Sequence, residues 1–368
     1  DVPGHSTAVV ASYPELSCTQ DPNIKVSPGY KFAEWYGNGQ FKMLVDNTLD
    51  PSSEQVYSFL DKVFTEVAAL FPFGYIHAGG DECYHGYWEN DPDCKALMQK
   101  EGLKTTHELQ SYFTKRVEKI IQSKGKKLMG WDEILEGGLA PEAAVMSWRG
   151  LEGGIEAAKL GHYVVMSPND YVYIDLLQGE PAVEPDQTSY KTVRLQKAYS
   201  FEPVPEGIDP KFILGGQANL WTEKVPTIRQ AEYMTYPRAW AIADLYWSQK
   251  EARNWDAFTQ RMENHMERFD HAGANYARSA FDPIVTGSMI NGKLFANITT
   301  EVNGLDIYYT LDESIPDKYS RKYTGPVEIP DGKAVTLKVA SFRNGQSSGK
   351  MVPLSRDEIV KRVKRIDP

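Results

Sequence analysis

Apolar positions over the first 280 or so residues follow two alternating rhythms. Val56, Leu60, Val63, Phe64, Val67, Leu70 and Phe71 recur at helical spacing, and Pro72 ends the run. Ser52 and Gln55 stand just ahead of them with capping-box spacing. Gly74-Tyr-Ile-His-Ala78 then reads as a short strand stopped by Gly79-Gly80. Thr105 and Glu108 form a second capping-box pair, and Leu109, Tyr112, Phe113, Val117, Ile120 and Ile121 make an apolar face closed by Gly125. Strands are expected at 127–129, 144–146, 162–166 and 212–214, with a helix at 154–160 and a long one from Ile228 to Ser248.

Strand and helix in alternation imply a parallel sheet with helical crossovers. Polar and aromatic residues follow one strand after another: Asp81-Glu82, Trp131-Asp132-Glu133, Trp148-Arg149 and Trp221-Thr-Glu223. Functional side chains at the ends of many parallel strands favour a (β/α)8 TIM barrel over an open sheet, which gathers them at one switch point. Near residue 282 the pattern changes. Asn291-Gly292, Asn303-Gly304, Asp331-Gly332 and Asn344-Gly345 are hairpin-type turns between period-two runs. The expected division is a catalytic domain over 1–281 and a small C-terminal antiparallel β-sandwich over 282–368.

Composition narrows the function. The chain has 368 residues and a net charge of −10, which disfavours a nucleic-acid binder, and no apolar run approaches the length of a membrane span. Cys18, Cys83 and Cys94 match no zinc or redox motif, and Cys83 with Cys94 is one pairing the spacing allows. Phosphate-loop spacing and a Gly-x-Ser-x-Gly elbow are both missing.

The candidate chemistry centres on His77-Ala-Gly-Gly-Asp-Glu82. Two adjacent carboxylates leaving a strand through Gly-Gly repel each other, and a carboxylic acid kept protonated that way can act as a general acid. The bland reading is a surface loop whose acids point apart into water. Trp131, Trp148 and Trp221, after three different strands, would make an aromatic pocket if they converge, although each alone could be packing. Carboxylates beside them (Asp132, Glu133, Asp175, Glu223) suit sugar hydroxyls. Asp81, Glu82 and His85 are a weaker metal alternative, so no metal and no cofactor are expected. His5 stands out just after Pro3-Gly4 at an expected strand end, and His77 reads as a core histidine.

Seven blocks together resemble a known family. They are Asp1-Val-Pro-Gly-His-Ser6, Tyr13-Pro-Glu-Leu16, Tyr75-Ile-His-Ala-Gly-Gly-Asp-Glu82, Gly130-Trp-Asp-Glu133, Met146-Ser-Trp-Arg149, Tyr171-Val-Tyr-Ile-Asp175 and Gly215-Gly-Gln-Ala-Asn-Leu-Trp-Thr-Glu223. In this order they are similar to β-N-acetylhexosaminidases of glycoside hydrolase family twenty, of the bacterial, chitobiase-like kind. The resemblance implies an exo-acting enzyme that removes terminal N-acetylglucosamine or N-acetylgalactosamine from oligosaccharides or glycoconjugates. It implies retention of configuration, with the substrate's acetamido group as nucleophile and an oxazolinium intermediate. Glu82 would be the acid and then the base, Asp81 would orient the acetamido N–H, and Tyr173 would hold its oxygen. Trp131, Trp148 and Trp221 would wall the pocket, Asp175 and Glu223 would bind outer hydroxyls, and His5 would lie near Glu82.

Measured against the family's eight strands, the chain is expected to start at the end of the third. The first strands, with an arginine that would clamp the sugar, are then absent from this chain, and a further segment or a second chain would complete the barrel. Two alternatives follow: an inactive amino-sugar-binding fragment, or an endo-acting relative such as a lacto-N-biosidase. A secreted or periplasmic location is implied by the resemblance alone.

Overall fold

A computed structural model describes residues 1–26, 31–37, 40–185, 191–332 and 335–363. The chain divides into two compact units. One comprises Asp1–Asn169 with Glu202–Gln217, the other Asp170–Phe201 with Ala218–Pro368.

The first unit opens with α1 (Thr7–Ser12) and a hairpin of β1 (Ala33–Gly37) and β2 (Gln40–Met43). Then come α2 (Glu54–Leu70), β3 (Tyr75–His77), α3 (Pro92–Glu101), α4 (Thr106–Ser123), β4 (Lys127–Trp131), β5 (Ala144–Ser147), α5 (Glu152–Lys159), β6 (Val164–Met166) and β7 (Ile213–Gly216). Strands β3 to β7 form a five-stranded parallel sheet in consecutive order, with no point of reversal. Every described crossover therefore carries the chain to the next position along the sheet, and the strand ends that face one way belong to five strands taken in chain order. Leu109, Phe113, Val117 and Ile121 of α4 are buried, as are Val56, Tyr57, Leu60 and Phe64 of α2, and the Tyr57 and Phe113 rings meet at 5.6 Å.

Thr105 and Glu108 form the expected capping box, and Gly125 takes the left-handed conformation just past α4. The other expected box does not form. Asp50 Oδ1 takes both the N–H and the hydroxyl of Ser52, at 2.8 and 2.7 Å, and the helix starts two residues later behind Ser53. A side chain that bonds locally in a turn is unavailable as a cap.

The second unit contains α6 from its second residue on (the helix is Asn169–Val172), α7 (Leu195–Tyr199), α8 (Ile228–Thr235), α9 (Arg238–Trp247) and α10 (Trp255–Ala272). The single helix expected over 228–248 is two. Pro237 offers no N–H and keeps Tyr236 out of the helical region, so Tyr236 is extended and ends α8. Then follow β8 (Ile284–Ile290), β9 (Lys293–Thr299), β10 (Asp306–Thr310), β11 (Arg321–Lys322), β12 (Val327–Glu328), β13 (Thr336–Arg343), β14 (Gln346–Ser347), β15 (Val352–Ser355) and α11 (Arg356–Lys361). They make two antiparallel sheets, β12-β9-β8 and β11-β10-β13-β14 with β15 on β13. Leu294, Ala296 and Ile298 of the first sheet share a buried cluster with Leu337, Val339, Val352 and Leu354 of the second. Asn291-Gly292 and Asn344-Gly345 turn two of the hairpins, all four residues at positive φ.

All three cysteines are free. Cys94, buried at the start of α3, meets Cys18 with its sulfur 3.9 Å away, so the contact runs to Cys18 rather than to Cys83, the partner that sequence spacing allowed. No described helix is long and apolar enough to cross a membrane.

Candidate active site

The chain leaves β3 through a turn that only a narrow set of residues can make. Gly79 and Gly80 sit at φ 77° and 96°, and a Cβ on Gly79 would fall 1.8 Å from the Asp1 carboxylate. The turn is tied on several sides. Gly79 O accepts the Trp131 N–H at 2.9 Å, Gly80 O accepts the Gln110 amide at 2.7 Å, and Asp1 Oδ1 accepts the Gly80 N–H at 3.1 Å. His85 Nε2 lies 2.7 Å from Gln110 Oε1, fixing that amide in turn. The result is that Asp81 and Glu82 are both held buried, with Glu82 itself at φ 49°, a strained conformation for a residue with a side chain.

His5 reaches this pair from the start of the chain. It lies in a bend ahead of α1, at φ 49°, rather than at the strand end expected for it. Its Nε2 is 3.1 Å from Glu82 Oε2 and 3.3 Å from Asp81 Oδ2. Burial works against the charged ring, but hydrogen bonds to Asp81 and Glu82 outweigh it and raise the imidazole pKa to about 10. The ring N–H is a donor clamped between two acceptors. The other Asp81 oxygen, Oδ1, is buried without a hydrogen-bond partner. His77 accepts the Gly79 N–H at 3.1 Å and sets its ring 4.8 Å from that of Trp131. It is exposed, not a core residue, because strand alternation buries Ile76 and turns Tyr75 and His77 to the opposite face.

Two of the three expected tryptophans belong to the same unit, and both are buried. Trp131 is the last residue of β4. Trp148 follows β5 and is held by the acidic pair after β4. Its indole N–H donates to Glu133 Oε2 at 2.8 Å, and its backbone N–H to Asp132 Oδ2 at 2.9 Å. Phe41 of β2 stacks on it, centroids 6.3 Å apart. Arg149 donates to Asp132 Oδ1 at 2.5 Å and to Glu136 Oε1 at 2.8 Å, and His107 Nδ1 lies 3.0 Å from Glu136 Oε2. Burial, then the neighbouring Asp132, push the Glu133 carboxyl well above the usual range against the pull of Arg149. Glu82, Glu133, Glu136 and Arg149 line one cavity of about 470 Å³, together with the hairpin residues Tyr36, Gln40, Phe41 and Met43.

The remaining expected residues form a second group, within the other unit. Tyr173 pairs with Asn219 in an isolated parallel bridge, and its ring lies 6.4 Å from that of Trp221. Burial raises the pKa of Asp175 to about 6; Arg238 opposes that rise and Glu223 adds to it. Asp175 Oδ1 is buried without a partner, while Trp221 and Glu223 are exposed. Arg238 is wholly buried. Its Nη2 donates to Ile174 O at 2.7 Å and Met234 O at 2.8 Å, and its Nη1 to Val193 O at 3.1 Å. It thereby braces the backbone on which Tyr173 and Asp175 stand.

The weaker metal alternative of Asp81, Glu82 and His85 is not a ligand set, since His85 is engaged by Gln110. Among the described residues, two triples bring possible ligand atoms within 4.8 Å of one another: Asp1, His5 and Asp81, and Cys18, Asp91 and Cys94. In the first, His5 Nε2 is already within hydrogen-bond reach of the Asp81 and Glu82 carboxylates. Sequence reasoning missed the hairpin at 33–43, Gln110 and Arg238. The period-two run Phe41-Lys-Met43 was a signal for the hairpin; Gln110 and Arg238 act over long sequence separations and left none.

Residues 1–250 match the family model described as glycosyl hydrolase family 20, catalytic domain, and residues 297–353 match one described as Fn3 associated. The chain is 37% identical over 367 residues to a beta-hexosaminidase of Porphyromonas gingivalis, covering 98% of this chain and 45% of that one. A beta-hexosaminidase of Vibrio furnissii is 36% identical over 249 residues, which is 66% of this chain and 39% of the relative. The chain thus spans less than half the length of either. Among solved structures, a GH20 exo β-N-acetylglucosaminidase of Vibrio harveyi in complex with N-acetylglucosamine superposes with a TM-score of 0.63 at 33% identity, over 75% of this chain and 42% of that one. An N-acetyl-β-hexosaminidase of Streptomyces plicatus in complex with Thio-NAglucal gives 0.61 at 29% identity, over 76% and 51%.

Proposed function

Because the chain belongs to glycosyl hydrolase family 20, we propose that it acts as an exo-β-N-acetylhexosaminidase that removes terminal N-acetylglucosamine or N-acetylgalactosamine with retention of configuration. The observation that carries this reading is the buried Asp81-Glu82 pair with His5 bound to both carboxylates. The acetamido oxygen of the substrate attacks the anomeric carbon as the glycosidic C–O bond breaks, and Glu82 gives its proton to the departing oxygen. Asp81 accepts the acetamido N–H, a role suited to its unpartnered oxygen, and steadies the positive charge that develops on nitrogen. Water then attacks the anomeric carbon, the bond from that carbon to the acetamido oxygen breaks, Glu82 takes the water's proton, and the acetamido group is restored. Tyr173 holds the acetamido oxygen, Trp131, Trp148 and Trp221 cover the methyl group and the sugar face, and Asp175 and Glu223 take the outer hydroxyls.

In the same reading the consecutive parallel strands are part of a TIM barrel, and residues 282–368 form a small sandwich domain. Its place is outside the cytoplasm, secreted or periplasmic, as the resemblance implies. A chromogenic N-acetyl-β-glucosaminide tested beside the matching β-glucoside checks the activity. Turnover of the first and not of the second is expected, because only the first carries its own nucleophile. Equal turnover of both, or of neither, would overturn the reading.

A further inference from the structure

We propose that Cys18 and Cys94 close a disulfide in an oxidising compartment, and that this bond ties the segment bearing His5 to α3, the helix that follows Glu82. Their sulfurs already meet at 3.9 Å across 76 positions of sequence. Cys94 is wholly buried near the start of α3, against Trp88, Leu109, Leu97 and Met98, whereas Cys18 is half-buried in a turn outside any helix or strand. The bond requires about 2.05 Å, and the adjustment falls to the turn rather than to the helix. Asp50 stands between the two segments: its N–H donates to Leu16 O at 2.9 Å, and its Oδ1 accepts the Cys94 thiol at 3.5 Å. Cys83 packs against the same cluster, but it directly follows Glu82, and a Cβ on Gly4 would come within 3.2 Å of its Cα. Drawing Cys83 toward Cys94 would disturb the acid; joining Cys18 does not.

The chemistry is exchange with an external low-molecular-weight disulfide. Cys18, the more accessible thiol, attacks one of its sulfurs as a thiolate and releases the first external thiolate. Cys94 then attacks the Cys18 sulfur of the mixed disulfide, its proton passes to Asp50 Oδ1, and the second external thiolate leaves. The two cysteines lose two protons and two electrons, and the external disulfide is reduced to two thiols. With Asp91 the same pair offers three atoms close enough for a metal ion, but the surroundings do not suit one. Asp91 Oδ1 already accepts the N–H groups of Asp93 and Cys94, at 2.9 and 2.8 Å, as the cap of α3. The hydrogen bond with Cys18, then burial, push the Cys94 thiol upward, away from the thiolate a metal needs. A disulfide brings no charge into the apolar cluster.

The test treats the reduced, folded chain with excess oxidised glutathione, then blocks the remaining thiols in denaturant and maps the peptides by mass. We expect a peptide joining Cys18 to Cys94, with Cys83 alkylated and no glutathione retained. The thermal midpoint of the oxidised chain should lie about 3 °C or more above that of the reduced one, since the bond closes a long loop. Cys83→Ser should keep both the joined peptide and the shift, and Cys18→Ser should lose both. A bridge through Cys83, glutathione left on Cys18 beside a free Cys94, or three alkylated cysteines after oxidation would each overturn the proposal. So would a mapped bridge with no change in midpoint, because the bond would then tie nothing together, or one zinc per reduced chain retained against a chelator. None of these outcomes bears on the hydrolase reading, which the substrate pair above tests separately.

Discussion

Replacing Glu82 with Gln is expected to lower kcat on a disaccharide substrate by a factor of about 10³, within the range of about 10²–10⁴ that a positioned acid–base contributes. The amide keeps the shape of the side chain and can still sit beside His5, but it has no proton to give to a sugar alkoxide and no basic oxygen with which to activate water. The loss should depend on the leaving group. A nitrophenolate departs without help, so the aryl glycoside should lose less than the disaccharide, and what it loses should reflect the second, water-adding step. Steady-state rates on both substrates, with parent and variant at equal folded fraction, check this. Equal losses on the two substrates would mean that Glu82 does not protonate the leaving group.

The second large effect is on stability. Arg238→Met should destabilise the fold by about 3–5 kcal/mol, measured as the shift in a urea unfolding midpoint. Arg238 is fully buried, and burial pushes its pKa down to about 10 although Asp175 and Glu184 pull the other way. Met fills a similar volume but leaves the carbonyls of Ile174, Val193 and Met234 without donors in a place water does not reach. It also removes the positive charge facing Asp175. A change below about 1 kcal/mol would show that these carbonyls find other partners and that Arg238 is not the brace described here.

What could be read in advance was mostly local. Thr105 and Glu108 lie three residues apart and close their box within one turn, so spacing alone identifies them. The same rule failed at Ser52 because Asp50, two residues away, competes for the same hydroxyl. Pro237 was visible in the sequence, yet the apolar period runs across it and concealed the break between α8 and α9. At the site, Asp81, Glu82, Trp131 and Trp148 stood out because motif and strand end coincide. That His5 would lie near Glu82 was implied by the resemblance only, since no local rule joins residues more than seventy positions apart, and its contact with Asp81 is seen only in the structure. Arg238 left no signal at all: its partners are backbone carbonyls, which every residue carries.

The account turns on the substrate's acetamido group acting as the nucleophile, with Asp81 and Glu82 arranged around it. The most direct measurement is kcat on a series of aryl glycosides whose acetamido methyl carries no, one, two or three fluorines. Each fluorine withdraws electrons from the carbonyl oxygen and weakens its attack on the anomeric carbon, so the rate should fall stepwise along the series. A rate indifferent to fluorination would contradict the account, because the nucleophile would then have to come from elsewhere.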